Sequence, residues 1–176
     1  MLHRYSEVLN LPVICADSGK KAGVVKDILF SLKCREMKAL LLESKGFMPG
    51  RRAVLRSNLL RLGDNAAIIN DISCVSNINR KAYKENFEDE VRPLGLRVYS
   101  KDGGELGIVK DVIFDIQSGK IKGFEMSDGV LQDIIQGRRF LPLFGRVEFS
   151  EELAIVENEA VDEMEETGGG IRNRLP

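Results

Sequence analysis

The chain is written twice. Gly23-Val24-Val25-Lys26-Asp27-Ile28-Leu29-Phe30 returns 84 residues later as Gly107-Ile108-Val109-Lys110-Asp111-Val112-Ile113-Phe114, with five of eight positions identical and the other three exchanging Val, Ile and Leu. The same offset carries Ile14 onto Val98, Gly19 onto Gly103 and Lys38 onto Lys122. After a shift of three residues, Gly50-Arg51-Arg52 falls on Gly137-Arg138-Arg139, and Ala67-Ile68-Ile69 on Ala154-Ile155-Val156. A colinear series with one small gap is what duplication leaves behind. The period is too long for a solenoid, whose units run about 20–50 residues. It is the size of a small domain, so the 176 residues divide into two units. Units of roughly 80 residues bury only about 60% of their unfolded surface and are marginal alone, so the two are expected to pack together or to be held by partners. The expected boundaries are a first domain over residues 1–78, a partly helical linker over 79–92, a second domain over 93–160, and an acidic then Gly-rich tail over 161–176.

Each copy reads as a series of short strands separated by turns. Pro12-Val13-Ile14-Cys15-Ala16 opens the first, with Pro at the strand entry where no ladder N–H is needed. Asp17-Ser18-Gly19-Lys20, like Asp102-Gly103-Gly104-Glu105, is a hairpin turn. The repeated octet then extends into a run unusually long for a strand. Its even face is Ala22, Val24, Ile28, Phe30 and Leu32, or Leu106, Ile108, Val112, Phe114 and Ile116, broken in each copy by a lysine. Odd positions still include Val25 and Leu29, and apolar residues on both faces suit a strand that bends round a barrel, with Gly23 and Gly107 marking the bend or a close backbone approach. Further strands are expected at 37–42, 53–55 and 66–69, and at 121–126, 140–143 and 153–156.

The combination of an apolar strand, an Asp-x-Gly turn, the run Gly107–Phe114, and then Asp115, Gly119, Lys120 and Ile121 resembles the PRC-barrel domain, named from the cytoplasmic part of the photosynthetic reaction-centre H subunit. The likeness is closest over 96–126. The first copy departs from it, with Ser31 in the place of Asp115 and Arg35 in the place of Gly119. The resemblance covers nearly all of both halves and implies an all-β chain of two tandem small β-barrels, about six strands each, similar to bacterial tandem PRC-barrel proteins. It implies little chemistry. Relatives include the reaction-centre subunit, which needs a membrane helix, and a ribosome-maturation factor with a different N-terminal domain. A barrel fold hosts many functions.

Asp27, Asp111 and Asp115 are the strongest polar marks, though Ser31 breaks the pair in the first copy. Asp111 and Asp115, four apart on one strand, read as a carboxylate pair for acid–base work or a hard cation, or else as turn-adjacent groups accepting backbone N–H bonds. Arg51-Arg52 and Arg138-Arg139 read as an edge that binds phosphate or acid, or else as charges blunting an edge strand. His3 is the single histidine and stands near a free end, which argues against a serine–histidine triad, and one histidine cannot make a two-histidine metal site. Cys15, Cys34 and Cys74 are too few and too scattered for a disulfide framework, and only Cys34, between Lys33 and Arg35, has basic neighbours. No cofactor or metal is called for, and no catalytic set is recognised.

Net charge is −1, but it is unevenly divided. Residues 1–84 hold 15 Lys/Arg against 7 Asp/Glu, and residues 85–176 hold 11 against 20. Homologous halves of opposite sign favour association through charge, within one chain or between chains. No apolar run approaches the ~18 residues of a membrane span, and the N-terminus lacks a signal pattern, so a cytoplasmic protein is expected. The function this predicts is a non-enzymatic binding or adaptor module that meets a protein partner, with self-association as one form of it. The alternatives are an RNA- or ribosome-associated protein using the basic half, which has few aromatics for stacking, and a barrel that binds a small ligand or metal.

Overall fold

The computed structural model describes residues 1–43, 51–78, 92–127, 138–150 and 152–166. The chain forms two units: Met1–Glu90 together with the turn Asp115–Lys120, and Val91–Phe114 together with Ile121–Pro176. The expected linker, apart from Arg92, and the tail from Thr167 onward lie outside the described residues.

The first unit runs through β1 (Leu2–Arg4), α1 (Tyr5–Val8), β2 (Pro12–Cys15), β3 (Lys21–Ser31), β4 (Glu36–Leu42), β5 (Arg51–Leu55), a 3-10 turn (Arg56–Asn58), β6 (Leu59–Leu62), β7 (Ala67–Ile69), a second 3-10 turn (Ile72–Cys74) and β8 (Val75–Ile78). Its strands lie in the order β6-β7-β2-β3-β4-β5-β8. The second unit runs through β9 (Arg97–Ser100), β10 (Glu105–Asp115), β11 (Ile121–Ser127), β12 (Arg139–Pro142), β13 (Val147–Phe149), β14 (Leu153–Val156), α2 (Asn158–Asp162) and β15 (Glu165–Glu166). Its order is β13-β14-β9-β10-β11-β12-β15, the same path strand for strand. In each, the pair β2/β7 or β9/β14 is parallel and the other neighbours are antiparallel. The all-β tandem-barrel class is therefore as the sequence implied, and the duplication extends to topology.

The two long strands are each 11 residues, and both leave their ladders at matched places. Val13 pairs Gly23 while Ile14 pairs Lys21, so Ala22 is the extra residue; Val98 pairs Gly107 while Tyr99 pairs Glu105, so Leu106 is. Opposite β4 and β11 the extra residues are Lys26 and Lys110. Farther along, the partner strands themselves bulge, at Lys38 and Lys122. Each bulge shifts the alternation and adds bend. The core face of β3 is consequently Ala22, Val25, Ile28 and Phe30, and that of β10 is Leu106, Val109, Val112 and Phe114. The even-numbered alternation is shifted here: Val25, which falls at an odd position, and its equivalent Val109 point inward in place of Val24 and Ile108, because a bulge lies on either side of them.

Fully buried Phe30, Met37 and Leu40 centre the first core, and Phe114, Phe124 and Leu141 the second. Burial of each such side chain contributes about 1.5–3 kcal/mol. Gly123 on β11 has the Phe140 ring and the Leu141 carbonyl lying where a Cβ would be. The aromatic ring covers the glycine across the sheet, as it does in sheets where a bare backbone needs shielding.

Candidate functional site

The second arginine of each doublet is tied to a bulge. A bulge residue leaves the ladder, so its carbonyl needs another donor. Arg52 Nη2 donates to the Ala22 carbonyl at 2.8 Å, and Arg139 Nη2 to the Leu106 carbonyl at 2.9 Å. The glycine that follows the bulge residue makes room in two different ways. Gly107 has φ +113°, a conformation L side chains rarely adopt. Gly23 lacks a positive φ, but a Cβ there would meet Leu42 Cδ1 at 3.0 Å and Arg52 Nη1 at 3.3 Å. Arg52 Nη1 is buried and has no hydrogen-bond partner among the described residues. The strands that carry the doublets are interior to their sheets. β5 lies between β4 and β8, and β12 between β11 and β15, so the edge position expected for these arginines is corrected.

The first arginines face outward. Arg51 is exposed, and Arg138 bonds the carboxylate of buried Glu125 at 2.9 Å. Glu125 is the cross-strand neighbour of Asp111, itself 1% exposed. Like charges directly opposite are unfavourable, and Arg138 offsets that by supplying a charge-assisted bond to one of them.

The aspartates have backbone duties. Asp27 and Asp111 each directly follow a bulge lysine, and each accepts the next residue's N–H, from Ile28 and Val112, at 2.8 Å. Asp27 also accepts the Tyr5 hydroxyl at 2.9 Å. Asp115 opens the turn that belongs to the first unit. It accepts from the Met1 ammonium and the Ser118 hydroxyl, both at 2.9 Å, and from the Gln117 N–H at 3.4 Å. The ammonium, then Ser118, hold its carboxyl well below the usual carboxylate range. Asp111 and Asp115 thus engage separate partners, and among the described residues no group of three or more His, Cys, Asp and Glu is placed to hold a metal ion.

The same turn shows a feature that single-residue motif reading passed over. Glu36 bridges Lys120 at 2.8 Å and Lys38 at 3.0 Å, and these bonds bring its carboxyl down to about 2. Met37 N–H donates to the Gly119 carbonyl at 2.8 Å, and Arg56 Nη1 donates to the Gln117 carbonyl at 3.2 Å. Glu36 and Lys120 occupy equivalent positions in the repeat, and their opposite charge was the available signal. So do Arg35 and Gly119, both with positive φ, at 51° and 74°. Of the remaining candidates, His3 is buried and its pKa is pushed down by that burial and by the nearby ammonium. Cys34 is exposed, and burial pushes the Cys15 thiol up.

A chain of this topology, with its bulged long strand twice over, is a tandem PRC-barrel: the PRC-barrel domain matches residues 1–73 and again 87–157, and the protein belongs to that family. Among curated proteins it is similar to the "Uncharacterized protein YrrD" of Bacillus subtilis (strain 168), 31% identical over 136 residues, which is 76% of this chain and 74% of the other. Among the described residues, no helix is long and apolar enough to cross a membrane.

Proposed function

We propose that the protein is a non-enzymatic binding module whose two barrels present charged surfaces to a protein partner. The observation that carries this reading is the engagement of the repeated polar residues. Arg52 and Arg139 hold bulge carbonyls, and Asp27 and Asp111 hold the N–H groups beside the next bulge. The chemistry the two copies share is therefore chemistry of the scaffold. What differs between the copies is their surface. Exposed charge leans basic on the first unit, with Lys20, Lys21, Lys26, Arg51 and Arg61 beside Glu7, Asp17, Glu43 and Asp64, and on the second unit Glu105, Glu152, Glu159, Asp162 and Glu163 stand among Arg97, Lys101, Lys110, Lys122 and Arg146. Patterned surface charge steers encounter and selects partners more than it adds affinity. In keeping with a reducing, cytoplasmic setting, the three cysteines are free.

The test is affinity capture of the tagged full-length chain from its native host, with a salt series in the wash. A protein retained at low salt and lost as salt rises is the expected result; recovery of nothing beyond the tag control overturns the reading. The basic surface of the first unit favours a second reading, RNA binding. Filter binding across a salt series decides it, since a protein that neutralises several phosphates loses affinity steeply with salt.

A further inference from the structure

The strand paths end on β6 and β8 in the first unit and on β13 and β15 in the second; β6 and β13 are topological equivalents, and each has only one strand partner among the described residues. At the offset of the second half of the repeat, Leu60-Arg61-Leu62 falls on Val147-Glu148-Phe149. The apolar positions are kept and the charge between them is reversed. Arg61 and Glu148 are both exposed, and Leu60 is 59% exposed, among the largest exposures of any apolar side chain in the first unit. An open strand edge is a template for pairing with another chain.

We propose that the protein associates head to tail with copies of itself, the edge of β6 on one molecule lying antiparallel to the edge of β13 on the next. Placing Arg61 opposite Glu148 sets exposed Leu60 against half-buried Phe149, so one register satisfies both charge and one apolar pair, while Leu62, opposite Val147, stays buried in its own barrel. The opposite arrangement of like edges, β6 on β6 or β13 on β13, sets like charges facing one another, which is unfavourable. The contact is heterologous, so it propagates into a ring or a filament rather than stopping at two chains. It is also short. Leu60 is itself an extra residue in the β6/β7 ladder, and that bulge limits the length of regular edge on offer. Arg146 lies 3.3 Å from Glu148 in an exposed pair; a new partner for Glu148 replaces a contact that contributes little. Association is accordingly weak and dependent on salt.

This inference goes beyond capture of an external partner, and the two fail separately: purified protein reports on one, host lysate on the other. The experiment is sedimentation velocity on the purified full-length chain over a concentration series, at about 50 mM and about 500 mM salt, which shortens the screening length well below 10 Å. At low salt the average mass should climb with concentration past that of two chains, and at high salt it should return to 19.6 kDa. Arg61→Glu and Glu148→Arg should each weaken association by about three- to thirtyfold, a range set by the modest strength of exposed pairs, with unchanged circular dichroism and melting. An equimolar mixture of the two variants should regain it, because each then offers the edge the other lacks. A single sedimenting species of one chain at every concentration and salt overturns the proposal. So does assembly that stops at a dimer, or association that neither substitution affects.

Discussion

Gly23 and Gly107 occupy one position of the repeat for two different reasons, and replacing each by alanine separates them. At Gly107 the backbone sits at φ +113°, where a Cβ costs about 1–3 kcal/mol of strain. Alanine also stiffens the unfolded chain, which returns about 0.4–1 kcal/mol. The net loss at Gly107 is thus roughly 1–2 kcal/mol. Gly23 has no such φ, and the nearest atoms to a new Cβ, Leu42 Cδ1 at 3.0 Å and Arg52 Nη1 at 3.3 Å, are ends of flexible side chains. There a small steric cost meets the same unfolded-state gain, and the net change is about zero. For a domain of this size 1 kcal/mol moves the midpoint by about 4–8 °C. Gly107→Ala should therefore lower the melting of the second unit by about 5–15 °C, and Gly23→Ala should leave the first within a few degrees. Calorimetry on the full chain measures the shift, and hydrogen exchange on peptides from β3 and β10 assigns it to a unit. Equal losses at the two sites, or a larger one at Gly23, would refute the distinction between φ and space.

Arg139→Leu removes the donor to the Leu106 carbonyl and should cost about 1–3 kcal/mol as an unsatisfied buried acceptor; a thermal melt within a degree of the parent would show that water replaces it. Arg35 holds φ +51° where its counterpart is Gly119, so Arg35→Gly should relieve up to about 1 kcal/mol, the left-handed cost of about 1–2 less the entropy glycine adds, read as a raised denaturant midpoint with an unchanged slope. The Glu36 carboxyl is lowered in the folded chain to about 2 by Lys120 and Lys38. Its stabilisation is therefore complete above the unfolded value of about 4.3 and is lost as pH falls from there toward 2. Glu36→Gln should flatten that part of the stability–pH curve and lower the plateau at neutral pH; superimposable acid limbs would count against the bridge.

Much of the barrel could be read from residues alone because duplication is a global signal: two copies that agree at Gly, Lys, Asp and Phe specify one local geometry twice. Facing was harder. A strand's period of two assumes an unbroken ladder, and the lysine that broke the alternation in each copy, Lys26 or Lys110, marked a bulge that moved Val25 and Val109 to the inside. Strands β6, β8, β13 and β15 are short, and their burial patterns are set by neighbours distant in sequence, so local patterning carried little trace of them. The arginine doublets were visible as a repeat, but their role was not. Whether a guanidinium meets solvent or a displaced carbonyl depends on where an opposite strand bulges, and that is a tertiary fact. Asp115 shows the same limit, since one of its partners lies 114 residues away at Met1.

The bulge lysines have a consequence before the fold exists. Without them the repeated octet would be a β-branched and aromatic run of the kind that stacks between chains while still unfolded. At these two bulges the side chain points to solvent: Lys26 and Lys110 are both exposed, so a charge there is tolerated in the finished barrel. During synthesis the same charge, with the aspartate beside it, splits the run into two short apolar pieces and acts as a gatekeeper against aggregation. Straightening the strand by deleting Lys110 would remove the bend and, with it, the protection of the nascent chain.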